Sequence, residues 1–256
     1  MTFPDFSDPS IWISLLTLTF LEIVLGVDNI IFISIISDKL EPSQQRRARN
    51  IGLLLAMFFR IGLLLTITYI MRLQNPLFTM PFIKADEAPI AISWKDLILM
   101  AGGLFLVVKS TLEIHSKLEH KASEETGSKK VYATLGKVIV QIVLIDAVFS
   151  FDSILTAIGL VDEVAIMVIA VIISIIIMMV FASAVSKFIN EHPTLQMLAL
   201  SFLIAIGIML VAEGFHQEIS KSYIYTMIAF SLLVELLNMK LRKKADMKQL
   251  RGGEKL

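Results

Sequence analysis

Residues 21–31 read Leu21-Glu22-Ile23-Val24-Leu25-Gly26-Val27-Asp28-Asn29-Ile30-Ile31. Two carboxylates and an amide interrupt an otherwise apolar run from Ile11 to Ser37. Such a run exceeds the roughly 20 residues that a helix needs to cross a bilayer. A charge at the bilayer centre costs at least about 2.5 kcal/mol on insertion scales, so acids there point to function. A second stretch matches the first: Ile145-Asp146-Ala147-Val148-Phe149-Ser150-Phe151-Asp152-Ser153-Ile154-Leu155. At one constant offset Glu22 meets Asp146, Asp28 meets Asp152, Gly26 meets Ser150 and Asn29 meets Ser153.

Around these two stretches the chain of 256 residues is 56% hydrophobic and 18% charged. A soluble domain carries about 25% charge. The apolar excess falls in seven long runs, at Ile11–Ser37, Asn50–Met71, Leu97–Ile114, Val131–Leu160, Val164–Lys187, Thr194–Ala212 and Tyr223–Met239. This predicts an all-α polytopic membrane protein with seven transmembrane helices and the lipid bilayer as its surroundings. Cysteine is absent, which excludes disulfides, thiolate metal sites and cysteine nucleophiles. A net charge of zero argues against nucleic acid as a partner.

Lys and Arg set the orientation. Lys39, Arg46, Arg47, Arg49, Lys117, Lys121, Lys129, Lys130, Lys187 and a basic tail from Lys240 to Lys255 fall on one side. Only Arg72, Lys84, Lys95 and Lys221 fall on the other. The expectation is an N-terminus outside and a C-terminus in the cytoplasm, in the cell (inner) membrane. Met1–Ser10 has no Lys or Arg, so the first run reads as a retained span rather than a signal peptide.

Three spans separate the matched stretches, so the copies cross in opposite directions: an inverted 3+3 repeat with a seventh helix appended. A weaker echo pairs Leu106-Val107-Val108-Lys109 with Leu210-Val211-Ala212-Glu213. The whole chain, 1–256, reads as a single transmembrane domain. Repeat 1 covers about 11–118, a cytoplasmic linker about 119–130, repeat 2 about 131–215, and the seventh helix with its tail about 222–256.

The carboxylates of Glu22, Asp28, Asp146 and Asp152, with the Asn29 amide and the Ser153 hydroxyl, offer six hard oxygen donors. Such donors suit Mn²⁺, Mg²⁺ or Ca²⁺. The same acids could instead pair with the intramembrane cations Arg60 and Lys109, or relay protons without metal. On a helix Glu22 and Asn29 share a face, as do Asp146 and Ser153, whereas Asp28 lies about 240° from Glu22. Convergence of all four acids therefore calls for a local opening at Gly26 and at Ser150. Glu213 lines an exit, pairs with Lys109, or is a solvated helix end. The four histidines sit at span ends and receive no role.

These residues resemble the TerC family of integral membrane proteins, similar in fold to the LysE transporter superfamily. The likeness rests on Glu22-x2-Leu25-Gly26-Val27-Asp28-Asn29 and Asp146-x3-Ser150-Phe151-Asp152-Ser153. Arg60, Gly102–Leu106, Leu210–Gly214 and Glu235–Asn238 extend it. The resemblance implies a seven-span fold and, as in several bacterial members, export of manganese. It further implies that the matching acids, with Asn29 and Ser153, form the transport site.

The leading expectation is thus a secondary transporter that carries a divalent ion, Mn²⁺ first, out of the cytoplasm. Carboxylates that release metal can accept protons, so proton antiport suits as the driver. Mn²⁺ is the transported ion, with Ca²⁺ and Mg²⁺ as alternatives, and no organic cofactor is expected. Alternative functions are a membrane partner that loads metal onto exported proteins, or a Ca²⁺ transporter of the same fold. An enzyme is not expected: Gly26-Val27-Asp28 lacks the Gly-x-Gly-Asp of membrane aspartyl proteases.

Overall fold

Three helices begin on proline, at Pro9, Pro42 and Pro193. The first turn of a helix has no intrahelical use for the N–H that proline lacks. Asp8 caps the first of these helices by accepting a hydrogen bond from the Ser10 backbone N–H at 2.9 Å. The computed structural model describes residues 7–66, 75–85, 88–124, 132–157, 163–217 and 219–253. In chain order these form α1 (Pro9–Ser37), α2 (Pro42–Leu65), β1 (Pro76–Ala85), β2 (Ala88–Ser93) and α3 (Trp94–Glu124). They continue as α4 (Leu135–Ala157), α5 (Val164–Glu191), α6 (Pro193–Gly214) and α7 (Lys221–Gly253).

Among the described residues, six helices are long and apolar enough to cross a membrane: α1, α2, α3, α5, α6 and α7. The remaining helix, α4, is 23 residues long and contains Asp146 and Asp152. Outward faces are apolar, with Trp12, Leu16 and Phe20 on α1 and Tyr223, Phe230 and Leu233 on α7 exposed. Such faces suit a lipid surround rather than water.

The helices associate mainly in three pairs: α1 with α5, α2 with α4, and α3 with α6. α7 leans on α6. Phe32, Ile35 and Ile36 of α1, Ile142 of α4 and Ile175 of α5 fill the interior. At the α3–α6 crossing the backbones touch. A methyl group at Gly103 would run into the Gly207 carbonyl oxygen, and one at Gly207 would lie 2.7 Å from the Gly103 carbonyl oxygen. Val107 and Val211, one turn on, flank the contact reciprocally. Small residues permit this approach, and close packing replaces the hydrophobic drive that lipid cannot supply.

Several sequence expectations need correction. α1 runs unbroken through Gly26 and α4 through Ser150, so neither helix opens there. Gly26 instead makes room for Met178 of α5, whose sulfur would lie 2.5 Å from a methyl group at that position. The second span starts earlier than Asn50, because Arg46, Arg47 and Arg49 lie in the first turns of α2 and not in a loop. The expected linker is helical as far as Glu124, and residues 125–131 lie outside the described residues. The tail is helical through Gly253.

The fold is all-α, as expected, apart from one antiparallel hairpin, β1–β2, between α2 and α3. Phe78, Thr79, Ile90 and Ile92 are strand formers, but the segment is too short to register as a span. Its register shifts between Met80 and Lys84, an interval containing Pro81, which has no N–H to give the ladder.

Candidate cation site

Glu22 on α1, Arg60 on α2 and Asp146 on α4 meet in the bundle interior. Arg60 is 2% exposed and Asp146 4%. The guanidinium donates to both oxygens of Asp146, through Nη2 to Oδ1 at 2.9 Å and through Nε to Oδ2 at 3.3 Å. Its Nη1 donates to Glu22 Oε2. This two-point grip on one carboxylate is the geometry that the planar guanidinium favours. Arg60 thus bridges the two acids that the sequence matches to each other.

Two neutral donors complete the cluster. Asn29 Nδ2 donates to Asp146 Oδ1 at 3.1 Å, and Ser150 Oγ donates to Asp146 Oδ2 at 2.9 Å. Glu22 and Asn29 reach the cluster from one face of α1, two turns apart, as helical spacing requires. Ser150 lies one turn after Asp146 on α4. Its role is to hold the carboxylate, not to open the helix. Asn29 is also buried, and its Oδ1 has no hydrogen-bond partner among the described residues. A buried carbonyl oxygen without a donor is an open acceptor of the kind a hard cation takes.

Ser153 lies in the next turn of α4, buried, with its hydroxyl donated to the Ser150 carbonyl at 3.2 Å. That bond leaves its oxygen lone pairs available. Asp28 and Asp152 belong to the backbones of α1 and α4, and their side chains lie outside the described residues. Among the described residues no three His, Asp or Glu side chains converge on a metal position.

Lys109 and Glu213 stand apart from this cluster. Lys109 lies within electrostatic reach of Lys39, Glu113 and Lys137. Glu113, 1% exposed, pairs with Lys39 at 2.5 Å. Glu213 pairs with Lys95 at 3.8 Å, at the opposite end of the α3–α6 pair. Beside it Asp96 Oδ2 accepts from the Ser93 backbone N–H at 2.8 Å, from Ser93 Oγ at 2.7 Å, and faces His216 Nε2 at 3.1 Å.

Sequence reasoning missed three of these groupings. Glu113 was hidden at the end of an apolar run. His216 sits at a span end with no histidine near it in sequence, and its partner Asp96 lies far along the chain. Arg49 read as an orienting charge; it is buried and donates to Ser37 Oγ at 3.3 Å and to Ser186 Oγ at 3.1 Å.

Residues 7–249 match the family described as "Integral membrane protein TerC family". The chain belongs to the TerC family. YoaE of Escherichia coli (strain K12), named a UPF0053 inner membrane protein, is 46% identical over 231 residues, covering 90% of this chain and 43% of YoaE. The chain therefore spans less than half the length of that relative. YgdQ of the same strain, also named a UPF0053 inner membrane protein, is 46% identical over 244 residues, 95% of this chain and 99% of YgdQ. A UPF0053 protein of Haemophilus influenzae is 45% identical over 237 residues. No solved structure matches the chain.

Proposed function

We propose that this TerC-family protein is a secondary transporter that exports a divalent cation, Mn²⁺, from the cytoplasm, with proton antiport as the driver. The observation that carries the reading is the meeting of Glu22 and Asp146, from two helices, at one buried guanidinium beside the open acceptor Asn29 Oδ1. With all three groups ionised, one negative charge is left over. Asp28 and Asp152 add two more acids to the same helices. Uncompensated charge of that sign inside a membrane is costly, and a divalent cation offsets most of it. Hard oxygen donors suit Mn²⁺, Mg²⁺ and Ca²⁺.

We read the fold as an inverted 3+3 repeat with α7 appended and α4 as a seventh crossing. Exchanging α1 with α4, α2 with α5 and α3 with α6 turns the α1–α5 pair into the α4–α2 pair. The same exchange maps α3–α6 onto itself, and these are the principal pairs in the bundle. The reciprocal contacts of Gly103 with Gly207 and the positions of Glu22 and Asp146 agree with this reading. Rocking of the halves about such an axis gives alternating access. The asymmetry of Lys and Arg supports an N-terminus outside and a tail in the cytoplasm, and YoaE and YgdQ are named inner membrane proteins.

The test is flux of Mn²⁺, Ca²⁺ and Mg²⁺ in proteoliposomes, with and without a pH gradient. Mn²⁺ flux that accelerates with an opposing proton gradient is expected. Asp28→Asn or Asp152→Asn should abolish it while leaving the protein folded. Normal flux in both variants would sink the reading. Mn²⁺ binding without movement would identify a metal-loading partner instead.

A further inference from the structure

We infer that Arg60 is the resident counter-cation of the site, displaced from Glu22 and Asp146 when the cargo arrives, and so sets the preference for divalent over monovalent ions. The inference rests on the transporter reading above.

It starts from the saturation of Asp146. Each of its oxygens accepts two hydrogen bonds: Oδ1 from Arg60 Nη2 and Asn29 Nδ2, Oδ2 from Arg60 Nε and Ser150 Oγ. A carboxylate offers about four lone-pair sites. A metal ion cannot coordinate Asp146 until a donor leaves.

The four donors are not equivalent toward an incoming cation. Asn29 is neutral and can present its open Oδ1 instead of its Nδ2. Ser150 is neutral, and its hydroxyl oxygen is itself an acceptor. Arg60 alone carries positive charge, supplies half of the four bonds, and also holds Glu22. It is the group that a second cation repels and the group whose departure frees both acids.

Arg60 also meets the requirements of a stand-in for cargo. A guanidinium cannot deprotonate in a protein, so it stays charged whether the acids are free or taken. Its stem of several rotatable bonds lets the head move without moving α2. When the site is empty it keeps the two buried acids paired. Removing one partner of a buried pair leaves an uncompensated charge, which is strongly unfavourable. A monovalent ion must displace an equal charge that already has three hydrogen bonds to the two acids. A divalent ion brings twice the charge.

The protein in lipid nanodiscs, wild type, Arg60→Gln and Arg60→Lys, should be titrated with Mn²⁺, and in parallel with Ca²⁺ and Mg²⁺, at one neutral pH, with and without Na⁺. Tryptophan fluorescence or calorimetry reads binding, and a thermal melt reads folding. Arg60→Gln is expected to bind Mn²⁺ at least about tenfold more tightly, which is about 1.4 kcal/mol. It should also become sensitive to Na⁺ competition and release cargo more slowly in flux assays. Arg60→Lys, which keeps the charge and loses the two-point grip, should fall between. If Arg60→Gln fails to fold, Arg60→Lys decides, tighter binding than wild type supporting the exchange and unchanged or weaker binding overturning it. A folded Arg60→Gln with unchanged or weaker Mn²⁺ binding overturns the exchange and leaves the transporter reading standing. Absence of Mn²⁺, Ca²⁺ and Mg²⁺ binding in wild type and variants overturns both.

Discussion

Gly103→Ala tests whether the α3–α6 crossing is a backbone contact. The added methyl group meets the Gly207 carbonyl oxygen, and the Val211 backbone nitrogen lies 2.9 Å from the same point. Neither neighbour can turn aside as a flexible side chain would. Inserting a methyl group into a packed interior costs about 1–3 kcal/mol, and a rigid obstacle belongs at the upper end. Alanine gains about 0.5–1 kcal/mol over glycine within a helix. The net expectation is a loss of about 1–2 kcal/mol. Gly207→Ala should cost a similar amount, since its methyl lies 2.7 Å from the Gly103 carbonyl oxygen. The double variant should cost less than the sum, because one widening of the crossing relieves both collisions. Gly62 and Gly136 supply internal controls, for no atom lies within 4 Å of a methyl group at either. Gly62→Ala should be neutral or more stable. Denaturant unfolding in detergent micelles, followed by tryptophan fluorescence, ranks the variants. A Gly103→Ala protein as stable as Gly62→Ala would refute the backbone contact.

Lys39→Met removes the cation beside Glu113, whose Oε1 already has no partner among the described residues. The loss should be about 1–3 kcal/mol, below the about 3–5 of a fully buried pair, because the Lys39 side chain is one-third exposed. Lys39→Met with Glu113→Leu should recover most of it, and a fully stable single variant would show the pair to be idle. At the start of α1 the Ser10 backbone N–H holds the Asp8 carboxyl below its ordinary value of 3.8. A lowered folded value means that the cap is intact above the unfolded value and fades as pH falls through the folded one. A carboxyl titration by NMR should find the Asp8 midpoint below 3.8, and a midpoint at or above that value would contradict the capping contact.

The cluster was legible in the sequence as far as helical spacing carries. Glu22 and Asn29 share a helical face, and both do reach the cluster, Glu22 at Arg60 and Asn29 at Asp146. The presence of Arg60 in the middle of a run announced a partner for intramembrane acid, and it has two. What the sequence could not supply was the angle between helices. The demand that all four acids converge led to openings at Gly26 and Ser150, but the helices are continuous and Arg60 bridges Glu22 and Asp146 directly. The hairpin escaped because a search tuned to 20-residue apolar runs passes over segments of six to ten. Asp96 and His216 were beyond reach for another reason: they meet only because Gly214 lets α6 end against the start of α3, where a methyl group would lie 2.9 Å from the Asp96 carbonyl oxygen.

Asp146 belongs to α4, yet its four donors come from α1, α2 and α4 itself. One carboxylate therefore works as a knot in which three strands are tied. Loosening any strand changes the tension on the others. An ion that unties Arg60 at once frees α2 from both α1 and α4 at this point. The binding event and the loss of the side-chain tie among three helices are then one event, with no relay needed between them. Conversely, a small molecule that fits the knot without loosening it would arrest the protein with its helices still bound together.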